Sequence, residues 1–357
     1  MTNYSALSPE YSHKEAHWLV TGGCGVIGTS LISHILKVNP NTKIKVLDNL
    51  AVGAKEDLAK VCEYIEGDIN QPLSMDPQSG KAVLMVGDIR DYQTCRKACK
   101  GVDVVVHLAA NTGVGPSVEN PRQDMETNVL GTFNMLEASR KNHVKRFILA
   151  SSGAPIGEVD PPIHEEKAPK PVSPYGASKL AGEGYCSTYY RTFGLPTVSL
   201  RFGNVYGPRS KNKSSVVAKF FRQALAGETL EIYGDGSQTR DFIYIADLVK
   251  AICLAVDPAP LSTQSPSPGN CPWGEVFQIA THKESTVNEI TEIIKALVEK
   301  ETEKKVSVVH SEPRLGDVKR NYSDISKAKK ILGYEPQFDL EAGIKRTFEY
   351  FKARAAC

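Results

Sequence analysis

The sequence predicts an α/β fold, a doubly wound parallel sheet with a smaller α/β lobe on its C-terminal side. Three observations predict it. Short apolar runs alternate with helix-patterned stretches through the first 200 residues, glycines cluster directly after the first run, and an acid closes the second. Alternation of this kind implies parallel strands joined by crossover helices on both faces. Strand runs fall at 17–21, 43–48, 82–87, 103–107, 145–150 and 196–201. Helical patterns lie between them at 26–38, 53–64, 91–100, 121–142 and 173–193. The polar Pro/Gly stretch from Asp68 to Gly80 reads as an insertion before the third strand. After Arg201 the pattern loosens. A Pro/Ser-rich loop at 258–272 and helices at 286–302, 323–332 and 339–354 read as the smaller lobe, interleaved with returning strands. The expected organisation is a loose arm at 1–14, a nucleotide-binding domain at 15–201 and a mainly substrate-binding lobe at 202–357.

Composition excludes several classes. The 357 residues carry 43 basic and 41 acidic side chains, a net charge of +2 with no long single-sign run, so neither nucleic acid nor a membrane surface is an expected partner. No apolar run approaches the length of a span, and Met1 to Lys14 has no apolar signal core. Eight cysteines in a chain this long make no disulfide scaffold. Cys95 and Cys99 lack metal-ligand spacing, no metal is expected, and structural thiols in a reducing cytoplasm are the reading. Cys24, inside the glycine turn, is expected to touch cofactor or core rather than react.

The glycine cluster points to a dinucleotide. His17-Trp18-Leu19-Val20-Thr21 runs into glycines at 22, 23, 25 and 28, followed by a helix through Leu31, Ile32, Ile35 and Leu36. Glycines there permit a tight turn and close approach of backbone to pyrophosphate, with a helix N-terminus aimed at the phosphates. The second strand ends in Asp48, twenty residues after Gly28, where an acid can accept hydrogen bonds from the adenosine ribose. That charge repels a 2′-phosphate and favours NAD over NADP. Gly-Asp-Ile occurs at 67–69 and at 87–89. The second copy follows an apolar run, so Asp88 and Ile89 are placed at the adenine and the first copy within the insertion.

Tyr175 and Lys179, four residues apart on one predicted helix, share a face. An ammonium near a phenol favours the phenolate. Tyrosine ordinarily titrates near 10, so a base working near pH 7 needs about 4 kcal/mol of differential stabilisation, more than one lysine supplies. A positively charged nicotinamide nearby adds to it. Ser152 lies upstream of this pair, and His107, inside an apolar strand, reads as packed rather than catalytic.

With these residues in place the chain resembles an extended short-chain dehydrogenase/reductase, specifically an NAD-dependent UDP-sugar 4-epimerase, over roughly residues 17–350. The resemblance rests on the glycine turn, Asp48-Asn49, His107-Leu108-Ala109-Ala110, Asn128-Val129-Leu130-Gly131-Thr132, Ser151-Ser152 and Tyr175/Lys179. Leu200 to Pro208, Arg240-Asp241-Phe242 and Arg314-Leu315-Gly316-Asp317 complete it. It implies that Gly22, Gly25, Val26, Ile27, Gly28, Asp48, Asn49, Asp88, Ile89, Leu108, Ala109 and Ala110 hold NAD together with Tyr175 and Lys179. Ser152 is then the partner of the sugar 4-hydroxyl, Tyr175 its base, and Lys179 the tuner of Tyr175. Asn204, Arg240 and Arg314 fall on the substrate diphosphate and Val217 on the uracil. Asn321 falls at the gate for the sugar 2-substituent, and a side chain smaller than tyrosine there favours N-acetylhexosamines, alongside glucose and galactose. The resemblance further implies a homodimer built on the helices at 121–142 and 173–193.

Other nucleotide-sugar conversions share this start. A 4,6-dehydratase needs an extra acid and base, which in such relatives follow the Ser/Thr directly; here Gly153 and Ala154 stand there. Glu158, Glu165 and Glu166 sit in a Pro-rich loop and are expected to be solvated. A uronate epimerase needs a further donor near the sugar carbon 6, and a 4-keto reductase needs exchangeable NADPH, which Asp48 disfavours. A non-catalytic NAD-binding protein is the competing class, and both Tyr175 and Lys179 speak against it. Pro155-Ile156, in place of the usual Val-Tyr, is expected to line the sugar pocket.

Overall fold

The computed structural model describes residues 16–68, 81–210, 215–258, 271–313 and 319–355. The N-terminal half unfolds in order as β1 (His17–Thr21), α1 (Val26–Val38), β2 (Lys43–Asp48), α2 (Lys55–Ala59), β3 (Glu63–Gly67), β4 (Lys81–Val86), α3 (Tyr92–Ala98) and β5 (Val104–His107). Then come α4 (Val114–Glu119), α5 (Pro121–Met125), a π-helical segment (Glu126–Leu130), α6 (Gly131–Lys141), β6 (Arg146–Ser152), α7 (Pro174–Phe193) and β7 (Thr197–Phe202). The C-terminal part contributes β8 (Asn204–Tyr206), α8 (Val216–Ala226), β9 (Leu230–Tyr233), β10 (Thr239–Arg240), β11 (Phe242–Tyr244), α9 (Ile245–Val256) and β12 (Glu275–Ile279). It closes with β13 (Ser285–Thr286), α10 (Val287–Glu301), β14 (Val308–Ser311), α11 (Ser326–Leu332) and α12 (Leu340–Ala355).

Eight strands of the described residues form one parallel sheet in the order β12-β7-β6-β5-β1-β2-β4-β3. Its strands read as nearly continuous apolar runs because both faces are covered. Val104, Val106 and Ile148 pack into one core, whereas Val105, Phe147 and Leu149 pack into the other, as a side-chain period of two requires. The order reverses at β1, whose neighbours are β2 and β5, and ligands of such sheets bind at the carboxyl ends of the strands beside that reversal. β12 returns from the C-terminal part to pair with β7, Phe277 opposite Leu200. The remaining strands form the pairs β8–β11, β9–β14 and β10–β13 beside a cluster of α8, α10 and α12, where Phe221 stacks on Phe351 at 5.5 Å.

Two sequence expectations are corrected here and a third is refined. The helix expected over 53–64 stops at Ala59, and Glu63–Gly67 instead runs as the edge strand β3 beside β4. Gly67, which opens the first Gly-Asp-Ile copy, therefore ends a strand; Ile69 lies outside the described residues. Leu58, Val61, Cys62 and Ile65 fit helical spacing, but an open edge of β4 offers backbone hydrogen bonds that a helix there would forgo. The helix expected over 121–142 runs without a gap from Pro121 to Lys141, widened by a π-helical turn at Glu126–Leu130, and a further helix, α4, precedes it. The expected arm at 1–14 lies outside the described residues. Among the described residues no helix is long and apolar enough to cross a membrane.

Candidate active site

A cavity of about 780 Å³ opens at the sheet reversal. Its first wall is the turn between β1 and α1. Gly22 sits at φ +67°, and a Cβ there would lie 2.9 Å from the Ala109 nitrogen. At Gly28 a Cβ would fall 2.5 Å from Gly23 Cα and 2.6 Å from the Gly22 oxygen, so only glycine lets the helix sit this close to the turn. Gly25 caps α1 with no side-chain cap and no acid in the first turn, which leaves a positive helix end at the cavity. Asp48, 7% exposed, accepts from the Cys24 N–H and the Leu50 N–H, both at 2.9 Å, which fixes its carboxylate at the cavity wall. This cradle fits a dinucleotide: backbone donors for pyrophosphate and a held carboxylate for a ribose. Burial pushes the Cys24 thiol up to about 12, so it is packed and unreactive.

Ser152 ends β6, and Tyr175 and Lys179 lie on the first two turns of α7. Ser173 accepts the Gly176 N–H, and Pro174 stands at the first position of the helix, so its start is fixed locally. Lys179, 6% exposed, donates from Nζ to the Ala150 carbonyl at 2.9 Å and stands 5.8 Å from the centre of the Tyr175 ring. Burial lowers its pKa to about 8, against the opposing pull of Asp124 and Glu183. Burial also pushes the Tyr175 phenol up to about 12; the Ser152 hydroxyl pulls it down and Asp124 pushes it further up. Desolvation is the largest influence on the phenol, so Lys179 by itself does not bring it towards neutral pH.

Behind this pair, Glu183 of α7 receives Arg201 through Nε at 2.8 Å and Nη2 at 2.7 Å, and the Ser151 hydroxyl at 2.5 Å. The network ties the end of β6 to α7 and β7. His107 is buried between Thr21 (2.7 Å) and Thr132 (3.2 Å), and burial drops its pKa to about 3. It is neutral and packed.

The same cavity is lined by Gly22, Gly25, Val26, Ile27, Gly28, Asp48, Asn49, Ile89, Leu108, Ala109 and Ala110. It is also lined by Ser152, Tyr175, Lys179, Asn204, Val217 and Arg240. Four other expected positions stand as follows. Asp88 stands at its rim between the lining residues Gly87 and Ile89, its carboxylate accepting from Arg90 at 2.7 to 3.1 Å and from Asn49 at 3.4 Å. Asn321 does not line it among the described residues, and Arg314 lies outside them. Pro155 and Ile156 are buried under the site rather than in its wall, because residues 154–156 pack on the start of α7, where a Cβ at Gly176 would meet the Ala154 oxygen at 2.6 Å. Glu165 is half-buried rather than fully solvated; it accepts the Gln278 N–H at 2.7 Å, away from the cavity.

Sequence reasoning missed the far wall, formed by Lys219, Glu231, Tyr233 and Gln238. Glu231 is gripped by Ser311 (2.8 Å), Tyr233 (2.9 Å) and Lys219 (3.3 Å), which together hold its carboxyl below the usual range. No local motif announces this wall, since β9 is positioned by β14, some eighty residues on. Among the described residues no cluster of His, Cys, Asp and Glu has the makings of a metal site.

Comparison with known proteins gives the geometry its context. A profile of the NAD dependent epimerase/dehydratase family matches residues 18–263. A putative UDP-glucose 4-epimerase of Methanocaldococcus jannaschii is 36% identical over 94% of this chain and 98% of its own. The UDP-glucose 4-epimerase of Thermotoga maritima, solved with UDP-glucose, superposes with a TM-score of 0.80 at 34% identity, covering 95% of this chain and 99% of that one. The Thermus thermophilus UDP-glucose 4-epimerase solved with NAD gives 0.77 at 32% identity, covering 94% and 99%. Relatives at about 30% identity also include a UDP-glucuronate 4-epimerase and dTDP-glucose 4,6-dehydratases. A glycine cradle shaped for a dinucleotide, a Tyr–Lys pair beside it and a family match across most of the chain converge: this chain belongs to the NAD-dependent epimerase/dehydratase family, the extended short-chain dehydrogenase/reductases.

Proposed function

We propose that the protein interconverts the C4 epimers of a UDP-hexose through a transient 4-keto sugar. The observation that carries this reading is the composition of the cavity wall. Ser152, Tyr175 and Lys179 share it with the glycine cradle, while the acids lining it are Asp48, Asp57 and Glu231, none of them beside Ser152. An elimination needs an acid and base at the sugar, and Gly153 and Ala154 provide neither. Hydride shuttling needs only the base and the bound cofactor.

NAD held by the turn at 22–28, Asp48 and the 108–110 wall supplies a hydride acceptor that also returns the hydride. Tyr175 takes the proton of the sugar 4-hydroxyl as the C4–H bond breaks, and gives it back after the keto sugar has turned over. Ser152 hydrogen-bonds that hydroxyl, and Lys179 favours the phenolate form of Tyr175. Asn204 and Arg240 grip the diphosphate, a guanidinium fork suiting phosphate oxygens, and Val217 packs on the base. The relatives' names support UDP as the carrier. With Asn321 outside the cavity wall, UDP-glucose and UDP-N-acetylglucosamine stand as equal first substrates.

The division at residue 201 into a cofactor part and a mainly substrate-binding part belongs to the same reading. So does a homodimer through the exposed apolar faces of α5 to α7, where Met125, Leu130, Phe133, Tyr185 and Phe193 stand in solvent. The described cysteines are free thiols, in keeping with a cytoplasmic enzyme.

The test is proton NMR of the protein with each sugar nucleotide, without added NAD and then with it. Growth of the galacto anomeric signal, abolished in Tyr175→Phe while bound NAD persists, is the expected result. No conversion of either sugar with NAD present overturns the reading and moves attention to uronate substrates.

A further inference from the structure

Among the described residues five cations line the cavity: Arg90, Lys179, Arg209, Lys219 and Arg240. Four of them are held by the protein. Arg90 is bound to Asp88, Lys179 donates to the Ala150 carbonyl, Lys219 to Glu231, and Arg240 to the Thr239 carbonyl at 2.7 Å. Arg209 is different. Among the described residues its guanidinium makes no hydrogen bond and no ion pair, although the residue is half-buried in the cavity wall. A half-buried charge is unfavourable unless an opposite charge faces it.

The backbone is unfavourable for an arginine as well. Arg209 sits at φ +67°, a left-handed conformation that glycine adopts freely and that a residue with a Cβ adopts under strain. The turn around it enforces that conformation. Ser210, 1% exposed, donates its hydroxyl to the Gly207 carbonyl at 2.7 Å and so closes residues 207–210. Gly207 opens the turn at φ +148°, where a Cβ would meet Ile245 Cγ2 at 2.5 Å. Strained positions of this kind cluster at ligand sites, where the surrounding fold sustains them. In the chain Arg209 falls between Asn204, assigned above to the diphosphate, and Val217, assigned to the base, and all three line one cavity.

We propose that Arg209 is a diphosphate-binding residue, a guanidinium carried on a left-handed turn to pair with the phosphate oxygens of a ligand in this cavity. The proposal rests on the reading that the cavity takes NAD and a UDP-sugar. Both ligands carry the same group, two phosphates joined by an anhydride with one negative charge on each. A guanidinium presents a planar fork of N–H donors that meets two such oxygens at once. Glycine would suit this backbone better, so what keeps arginine here is the side chain. An arginine that only packs would stabilise the fold, and its removal would lower stability. An arginine that binds a ligand at the expense of backbone strain does the reverse: its replacement by glycine weakens binding and leaves the fold as stable or more so.

The experiment compares wild type with Arg209→Gly, both loaded with NAD. Three quantities are read: affinity for UDP by calorimetry with NAD in excess, the rate at which bound NAD exchanges with labelled NAD, and the urea midpoint. Uridine, which has no phosphate, is the control for UDP. The expected result is UDP binding weakened about tenfold or more with uridine unchanged, or NAD exchange faster by a similar factor, at a urea midpoint no lower than wild type. Loss of UDP affinity assigns Arg209 to the substrate diphosphate, and faster exchange assigns it to the cofactor's. Changes below about threefold in both overturn the proposal. So does a lowered midpoint with equal losses for UDP and uridine, the mark of an arginine that only packs. If Arg209→Gly does not fold, Arg209→Lys decides: it keeps the charge and loses the fork, so UDP affinity or NAD retention still falls, and unchanged values for both overturn the proposal. Neither binding readout needs turnover, so a wrong sugar or reaction shows as missing conversion in wild type and leaves these results intact.

Discussion

Replacing Arg201 with methionine should destabilise the protein far more than an ordinary surface change. The two side chains of the Arg201–Glu183 pair are each 4% exposed, and the contact is bidentate at 2.8 and 2.7 Å. At an effective dielectric near 20, two unit charges about 4 Å apart attract by about 4 kcal/mol. Their desolvation cancels much of that gain, so the intact pair contributes little net stability. Removing one partner is different, because the other charge stays buried: Arg201→Met strands Glu183 with only the Ser151 hydroxyl, and the expected loss is ~3–5 kcal/mol. Glu183→Leu strands Arg201, whose Nη1 already lacks a partner, with a similar loss. The double variant Arg201→Met/Glu183→Leu removes both charges and should recover most of either loss. Urea unfolding midpoints of the four proteins, read at a common slope, give the coupling between the positions. Since Glu183 is one turn beyond Lys179 and Ser151 adjoins Ser152, the single variants should also lose turnover. Losses below ~1 kcal/mol in the singles, or a double variant whose loss is their sum, would refute the argument that these are mutually compensating buried charges.

Two further outcomes follow from the cavity wall and the buried histidine. Gly28→Ala places a methyl 2.5 Å from Gly23 Cα, so the helix must retreat from the turn; NAD affinity by fluorescence quenching should fall at least about tenfold, or ~1.4 kcal/mol. His107, held at about 3 in the fold against its ordinary 6.5, binds a proton in the unfolded chain first. Its depressed folded pKa makes its share of stability fully present above 6.5 and lost as pH falls from there towards about 3. His107→Gln should therefore show a shallower fall of the urea midpoint between pH 6.5 and 4 than wild type, and parallel curves would contradict a neutral buried imidazole.

The elements legible in the chain were those whose signals are local. The turn at 22–28 demands glycine through backbone clashes a few residues away, and the Ser173-Pro174 start of α7 caps itself. Strand runs such as Val104-Val105-Val106 are apolar on both faces because helices cover both, so burial is written directly into them. The spacing of Tyr175 and Lys179 likewise puts them on one face of one helix whatever surrounds it.

What only the tertiary structure decided arises between distant segments. Residues 63–67 became a strand because β4 offered an open edge. Lys219, Glu231 and Tyr233 joined the cavity wall because β14 positions β9. The titration of Tyr175 and Lys179 belongs here too: spacing puts them on one face, but burial in the fold raises the phenol and lowers the ammonium. Local sequence dictates backbone geometry through sterics that act over a few residues. Electrostatic free energy depends on everything within several ångströms in space, and only the folded chain says what that is.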